Sequence, residues 1–497
     1  MNRKEITKNV FLKTRRCSKA AYLEYYHPEY KYQGAYSDTI LHRSELVKNL
    51  ARQLFDNGFN VKEECQGDLV QNTEYRIQKG IKVIYNACFE HNSEKCFSDI
   101  LIIKSDTVWE LYEIKLSTKC VAEHILDLAF QSQIIHTKYP HLKLHCFLIH
   151  IDKKYVLEEV LNISKLFKIV NLSNKARHAL PLVKRILMAS HKVLNSNKIP
   201  NVSPGIFCTN PFNCEFKSYC WKDLPEDSPL NLVKSWEIKM YMLNDQGVKL
   251  GNVPHQVKLT EKLWLEIDCL VQKRYVINKR AIEGYMGDIC FPIFFLQIKT
   301  LQFPIPLFKK TSPYTYIPFQ YSLYEVASHS SCLKHKDFIS VSSKDPRDGF
   351  IKSLLKDLGD NGTIIVYEKK YTEARLRELG RIYPKYEAQI FKVIDRLKDL
   401  KEPFENRYLY HYNQNGSHEL KSLIAAWLPE VSFKSLTIPD SATASRAYEK
   451  LLTTKIGNTE RSNIKMDLSE YGRLNTYGLA KLLKILETIV IDGSKEA

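Results

Sequence analysis

Residues 96–118 read CFSDILIIKSDTVWELYEIKLST, two apolar runs that each carry ionisable residues where a buried strand would take another hydrophobe. The run 100–103 is short, apolar and β-branched, so it reads as a buried strand beginning directly after Asp99. Residues 104–107 are turn-like, and residues 108–115 alternate as a second strand whose period of two sends Glu113 and Lys115 to one face. A hairpin then gathers Asp99, Glu113 and Lys115. Ionised side chains on core strands are costly unless they are paired or bind a metal. Two converging carboxylates are natural ligands for Mg²⁺ or Mn²⁺, and a lysine beside them can orient water or stabilise developing negative charge. An edge hairpin with Glu113 and Lys115 as a solvated pair is the alternative reading of this stretch taken alone.

The order acid, hairpin, Glu-x-Lys resembles the core motif of the PD-(D/E)xK nuclease superfamily, with Asp99, Glu113 and Lys115 at the matching positions and Ser98 where the motif's proline often stands. The helical pattern of residues 123–135 supplies the helix that follows, and Gln131 fits the helix glutamine of RecB-like members; Ile135 stands in place of their tyrosine.

The cysteines carry a second, independent signal. Twelve cysteines in 497 residues with no secretory signal predict mostly free thiols in a reducing compartment. Cys208, Cys214 and Cys220 recur at equal spacing among Pro, Asn and aromatic residues, and Cys17 lies in RRCSKAAYLEYY near the other end of the same region. Such thiols suit an iron–sulfur cluster or zinc, or stay unligated in a loop; the wide, equal gaps favour the cluster over zinc's tighter pairs. A lone upstream cysteine, a PD-(D/E)xK core and then a cysteine triplet resembles the iron–sulfur branch of RecB-like nucleases. That resemblance implies a nuclease domain over residues 1–225, with a [4Fe–4S] cluster on the four cysteines as a structural clasp. The chain departs from the pattern in the helix around Ser44–Lys48 and at Asn86, where related sequences often have glutamate; Glu45 is a possible substitute ligand or a solvated helix residue.

Length predicts about three domains, and 44% hydrophobic residues suffice for their cores. With no apolar run near the ~20 residues of a membrane span and no signal peptide, the expectation is a cytoplasmic protein without a membrane partner. A net charge of +17 points to a polyanionic partner, nucleic acid and DNA first, or to a merely basic surface. No feature identifies a protein partner.

Residues 226–288 read as a helical connector, with helices around 233–242 and 259–271. A mixed α/β domain is expected over 289–490, strands first and helices after. Its phrases IPFQYSL, RLKDL, PFENRYLYHYNQNGSHELKSL and LPEVSFKSL resemble an uncharacterised bacterial domain family that follows a RecB-like nuclease and looks like a DnaQ-type exonuclease of the RNase H fold. Gln297, Lys299, Thr372 and Asn475 stand where that chemistry needs acids; Asp399 remains, with Glu373 near Thr372. The expectation is an α/β protein: an N-terminal restriction-endonuclease-like PD-(D/E)xK nuclease with an iron–sulfur clasp, a connector, and a catalytically degenerate RNase H-like domain. A catalytically weak nucleic-acid-binding or scaffold protein is the alternative.

Overall fold

A computed structural model describes residues 4–32, 35–232 and 238–492. The chain is mixed α/β and folds as two compact units, one of residues 1–223 and 303–315, the other of residues 224–302 and 316–497.

Unit 1 opens with helices α1 (Lys8–Arg16), α2 (Ser18–Tyr26) and α3 (Ala35–Arg52). A six-stranded sheet follows in sequential order: β1 (Phe59–Asn60), β2 (Val83–His91), β3 (Glu94–Ser105), β4 (Val108–Lys115), β5 (Lys143–Ile151) and β6 (Phe167–Asn171). Strands β2, β3 and β4 form an antiparallel meander. Helix α4 (Ala122–Lys138) then crosses over to make β5 parallel to β4, and α5 (Ser173–Leu194) follows β6. The period of two sorts the side chains. Leu101, Ile103 and Leu111 pack with Leu128, Phe130 and Ile134 of α4, while Ile100, Ile102 and Ile114 pack with Val47 and Ala51 of α3. Asp99 and Glu113 share the parity of Leu101 and Leu111, so they belong to the α4 face. Strand β3 begins six residues before the expected start, because β2 pairs with it back through Ala87↔Ser98 to His91↔Glu94. Asp99 therefore sits within a strand. Opposite it, between the pairs Tyr85↔Ile100 and Ala87↔Ser98, Asn86 takes a left-handed φ of 53°.

The segment 303–315, expected in the C-terminal domain, belongs to unit 1. Leu157 N–H donates to the Thr311 carbonyl at 2.9 Å, Lys310 N–H donates to the Leu157 carbonyl at 2.7 Å, and Ile305 and Tyr314 join the α3-side core.

Unit 2 runs α6 (Glu261–Gln272), β7 (Tyr275–Ile277), β8 (Ile293–Leu301), β9 (Ile317–Val326), β10 (Lys334–Ile339), α7 (Arg347–Leu358), β11 (Thr363–Val366), α8 (Lys369–Ile382), β12 (Leu397–Asp399) and β13 (Leu409–His411). Helices α9 (Leu420–Trp427), α10 (Ser441–Thr453) and α11 (Asn458–Asp492) close it. Its five-stranded sheet has the order β10-β9-β8-β11-β12, antiparallel across the first three strands and parallel across the last three. Phe294, Leu296 and Ile298 of β8 pack in the core with Phe350 of α7 and Leu376 of α8. Ile293 and Phe295 pack with Leu479 and Leu483 of α11, so the next residues of that parity, Gln297 and Lys299, belong to the α11 side. Residues 226–288, expected as a connector, are part of this unit. Buried Glu266 of α6 accepts from Arg407 Nε at 2.7 Å, and β7 pairs with β13. The expected helix at 259–271 is α6; of the one expected at 233–242, residues 233–237 lie outside the described residues and a helix runs over Ile238–Asp245.

Candidate functional site

The hairpin β3–β4 and helix α4 bring Asp99, Glu113, Lys115 and Gln131 into one buried cluster. Lys115 Nζ lies 2.7 Å from Glu113 Oε1 and 2.6 Å from Asp127 Oδ2. Gln131 Nε2 donates to Glu113 Oε2 at 2.8 Å and to Asp127 Oδ1 at 3.2 Å. Two further lysines enter. Lys8 of α1 pairs with Glu113 at 2.9 Å and Asp127 at 2.7 Å, and Lys48 of α3 pairs with Asp99 Oδ1 at 2.7 Å. The other oxygen, Asp99 Oδ2, accepts the Ile114 N–H at 2.8 Å. Three carboxylates thus face three ammonium groups, and each carboxylate oxygen has a donor from the chain. Gln131 Oε1 is a buried acceptor without a partner among the described residues.

Burial, reinforced by the charge of Glu113, raises the Asp99 pKa. Burial pushes Glu113 the same way, but the Lys115 and Lys8 ammonium groups outweigh it and hold that carboxyl well below its ordinary range. Lys115 is the reverse case: burial lowers it, and Asp127 with Glu113 more than restores it. Burial, with Lys115 next, takes His124 down to about 4. Sequence reasoning missed Asp127, Lys8 and Lys48. Asp127 lies one helical turn before Gln131, a spacing that could have found it. Glu45, offered as a substitute ligand, is exposed; Lys48 on the same helix is the residue that reaches Asp99. Asn86 joins a polar relay instead, accepting from Arg52 at 3.1 Å and donating to Asn60 Oδ1 at 2.8 Å.

The four thiols also gather. Cys17 stands at the N-cap position of α2, where the Ala20 and Lys19 N–H groups oppose the upward push of burial on its thiol, as the Phe216 N–H does for Cys214. Gly205 N–H lies 3.5 Å from Cys208 Sγ. Burial raises Cys17, Cys214 and Cys220, the last to about 11, and each also senses the charge of other members of the set. Arg16 fastens the two ends of the region by donating to the Phe207 carbonyl at 2.6 Å and to the Phe212 carbonyl. All four cysteines are free thiols. Among the described residues no group of three or more His, Cys, Asp and Glu forms a cage for a metal ion. The carboxylates are turned onto lysines, and a multi-iron cluster is a larger body than one ion, so its thiolates stand further apart. The donor chemistry suits both groups: hard, buried oxygens for Mg²⁺ or Mn²⁺, and soft sulfurs with N–H donors for iron and sulfide.

In unit 2, Gln297, Lys299, Thr372 and Asn475 line a single cavity of about 530 Å³. The remaining acids are engaged elsewhere. Asp399 accepts the N–H groups of Glu368 at 3.0 Å, Lys369 at 2.8 Å and Lys401 at 3.0 Å, fastening the start of α8, and Glu373 pairs with Arg377 at 2.7 Å.

Among the described residues no helix is long and apolar enough to cross a membrane. No curated protein and no solved structure matches the chain. Residues 294–419 match a family described as a domain of unknown function (DUF2779).

Proposed function

We propose that the chain is a metal-dependent nuclease of nucleic acid, DNA in the first instance. In this reading unit 1 is a RecB-like PD-(D/E)xK nuclease of the iron–sulfur branch. Unit 2 is an RNase H-like domain that has lost its exonuclease acids and holds substrate without cutting it. The observation that carries the reading is the convergence of Asp99, Glu113, Lys115 and Gln131 in one buried cluster, from a hairpin and the helix that follows it. Asp99 and Glu113 would hold Mg²⁺ or Mn²⁺; such an ion, when bound, supplies Lewis-acid charge to the phosphate and acidifies bound water. Lys115, fixed between Glu113 and Asp127, is placed to orient the attacking water. Gln131 holds the Glu113 carboxylate, and its free Oε1 can accept a hydrogen bond from that water. Lys8, about one-third exposed, can leave the carboxylates and follow the phosphate. Cys17, Cys208, Cys214 and Cys220 would hold a [4Fe–4S] cluster that clasps the two ends of the unit. The working compartment is the cytoplasm, with no membrane partner.

One observation favours a second reading, a nucleic-acid-binding protein without cleavage. The three carboxylates are already neutralised by Lys8, Lys48 and Lys115, so an ion must displace internal cations.

The test is incubation of the full chain with single- and double-stranded DNA and RNA in Mg²⁺ or Mn²⁺. Cleavage is expected, lost in EDTA and reduced roughly a thousandfold or more by Glu113→Gln with the fold intact. Binding to all four substrates with cleavage of none selects the second reading. Anaerobically purified protein is expected to be brown, and Cys214→Ser to bleach it; stoichiometric zinc without iron removes the cluster from the proposal.

A further inference from the structure

The cavity that holds Gln297 and Lys299 is lined by two lysines, Lys299 and Lys421, and by Asp440 and the exposed Glu368 and Glu419, yet among the described residues none of these carboxylates pairs with Lys299. Lys299 is 8% exposed, yet its only polar partner among the described residues is Ser441 Oγ at 3.2 Å, and its Nζ lies 4.4 Å from the centre of the Tyr471 ring. The Lys421 ammonium lies 5.8 Å from the same ring. Asp440, the nearest counter-charge, places Oδ1 on the Thr443 N–H at 2.7 Å as the cap of α10. Ser441 is the first residue of that 13-residue helix, whose N-terminus adds partial positive charge. Gln297 Oε1, in the same cavity, is a buried acceptor without a donor among the described residues. Burial and then Lys421 push the Lys299 pKa down to about 7, as expected of a cation held without an anion.

We propose that this cavity binds the phosphate of a nucleotide at a strand end without a metal ion, with Lys299, Lys421 and the α10 N-terminus supplying the positive charge. Two ammonium groups, the Ser441 hydroxyl and the N-terminus of α10 suit an anion with several acceptor oxygens, as a phosphate has; the Ser445 hydroxyl donates to the Thr300 carbonyl at 3.2 Å, and Lys421 Nζ also donates to the Pro439 carbonyl. Gln297 asks for a donor on the same ligand, which a sugar hydroxyl or a base amine provides. A volume of about 530 Å³ is nucleotide-sized. This deepens the reading of unit 2 as a substrate-holding domain and does not depend on cleavage by unit 1.

The test is calorimetric titration of the full chain, in EDTA, with thymidine 5′-monophosphate, thymidine and inorganic phosphate. The monophosphate is expected to bind, with thymidine and inorganic phosphate each weaker by about tenfold or more. Lys299→Met and, independently, Lys421→Met should each weaken the monophosphate by about tenfold. Without ligand, Lys299→Met should raise Tm, because it removes a buried charge that lacks an anion. Thymidine or inorganic phosphate binding as tightly as the monophosphate overturns the proposal. So does unchanged binding in both variants, or a Lys299→Met protein that melts lower yet binds normally. Tight monophosphate binding by a chain that cuts no nucleic acid supports the pocket while removing the nuclease reading.

Discussion

The two units solve the same problem, ionised groups inside a protein, in opposite ways. In unit 1, Asp99, Glu113 and Asp127 meet Lys8, Lys48 and Lys115, so the cluster is closed and nearly neutral. In unit 2, Lys299 and Lys421 share a cavity whose nearest acid caps a helix. A closed cluster holds its own geometry and admits a ligand only by exchange. An open one bears a standing electrostatic penalty that a ligand can remove. The units differ in their thiols as well: the four grouped cysteines are all in unit 1.

The largest break in that contrast is expected from the thiols. In protein carrying the proposed cluster, Cys214→Ser should lower the stability of unit 1 by about 3 kcal/mol in chemical denaturation, by the loop-closure logic of a cross-link, and leave unit 2's transition where it was. Next comes pH. Above pH 7 the unfolded chain binds a proton on Lys299 that the folded chain does not, so stability should rise with pH between about 7 and the ordinary lysine range near 10.5. Over two pH units the gain is about 2 kcal/mol, with Lys421, Asp440, Glu368 and Glu419 the other charged groups around the cavity. Thermal unfolding of Lys299→Met against pH should lose that rise. The same substitution in unit 1 should have the opposite sign: Lys8→Met removes a partner from buried Glu113 and Asp127 and should cost about 1 to 2 kcal/mol, reduced from the fully buried case by its exposure. The smallest effect is expected from Glu373→Ala, about 0.3 kcal/mol for an exposed i,i+4 pair. Metal binding lost with Glu373 would show that acids outside the cavity serve unit 2.

The parts of unit 1's cluster that lie on one hairpin and the next helix were legible, because strand and helix periods fix which side chains share a face. Asp99, Glu113, Lys115 and Gln131 meet for that reason. Lys8 was not legible: 105 residues separate it from Glu113, and only tertiary packing brings α1 there. The start of β3 was misplaced because residues 94–99 set only Cys96 and Phe97 among four polar residues and so show no apolar run, while β2 pairs with them through the backbone. Residues 303–315 were assigned to the wrong core because apolar residues such as Ile305 announce burial without saying in which unit. In unit 2 the positions lacking acids were readable one by one; that Gln297, Lys299, Thr372 and Asn475 line one cavity required the fold.

Residues 303–315, which fall between β8 and β9 of unit 2 yet fold with unit 1, make neither unit a contiguous stretch of gene. A stop codon after residue 223 deletes the strand of backbone that meets Leu157, and a start codon before unit 2 carries Ile305 and Tyr314 into a protein without their partners. Recombination at a single breakpoint therefore exchanges neither unit whole.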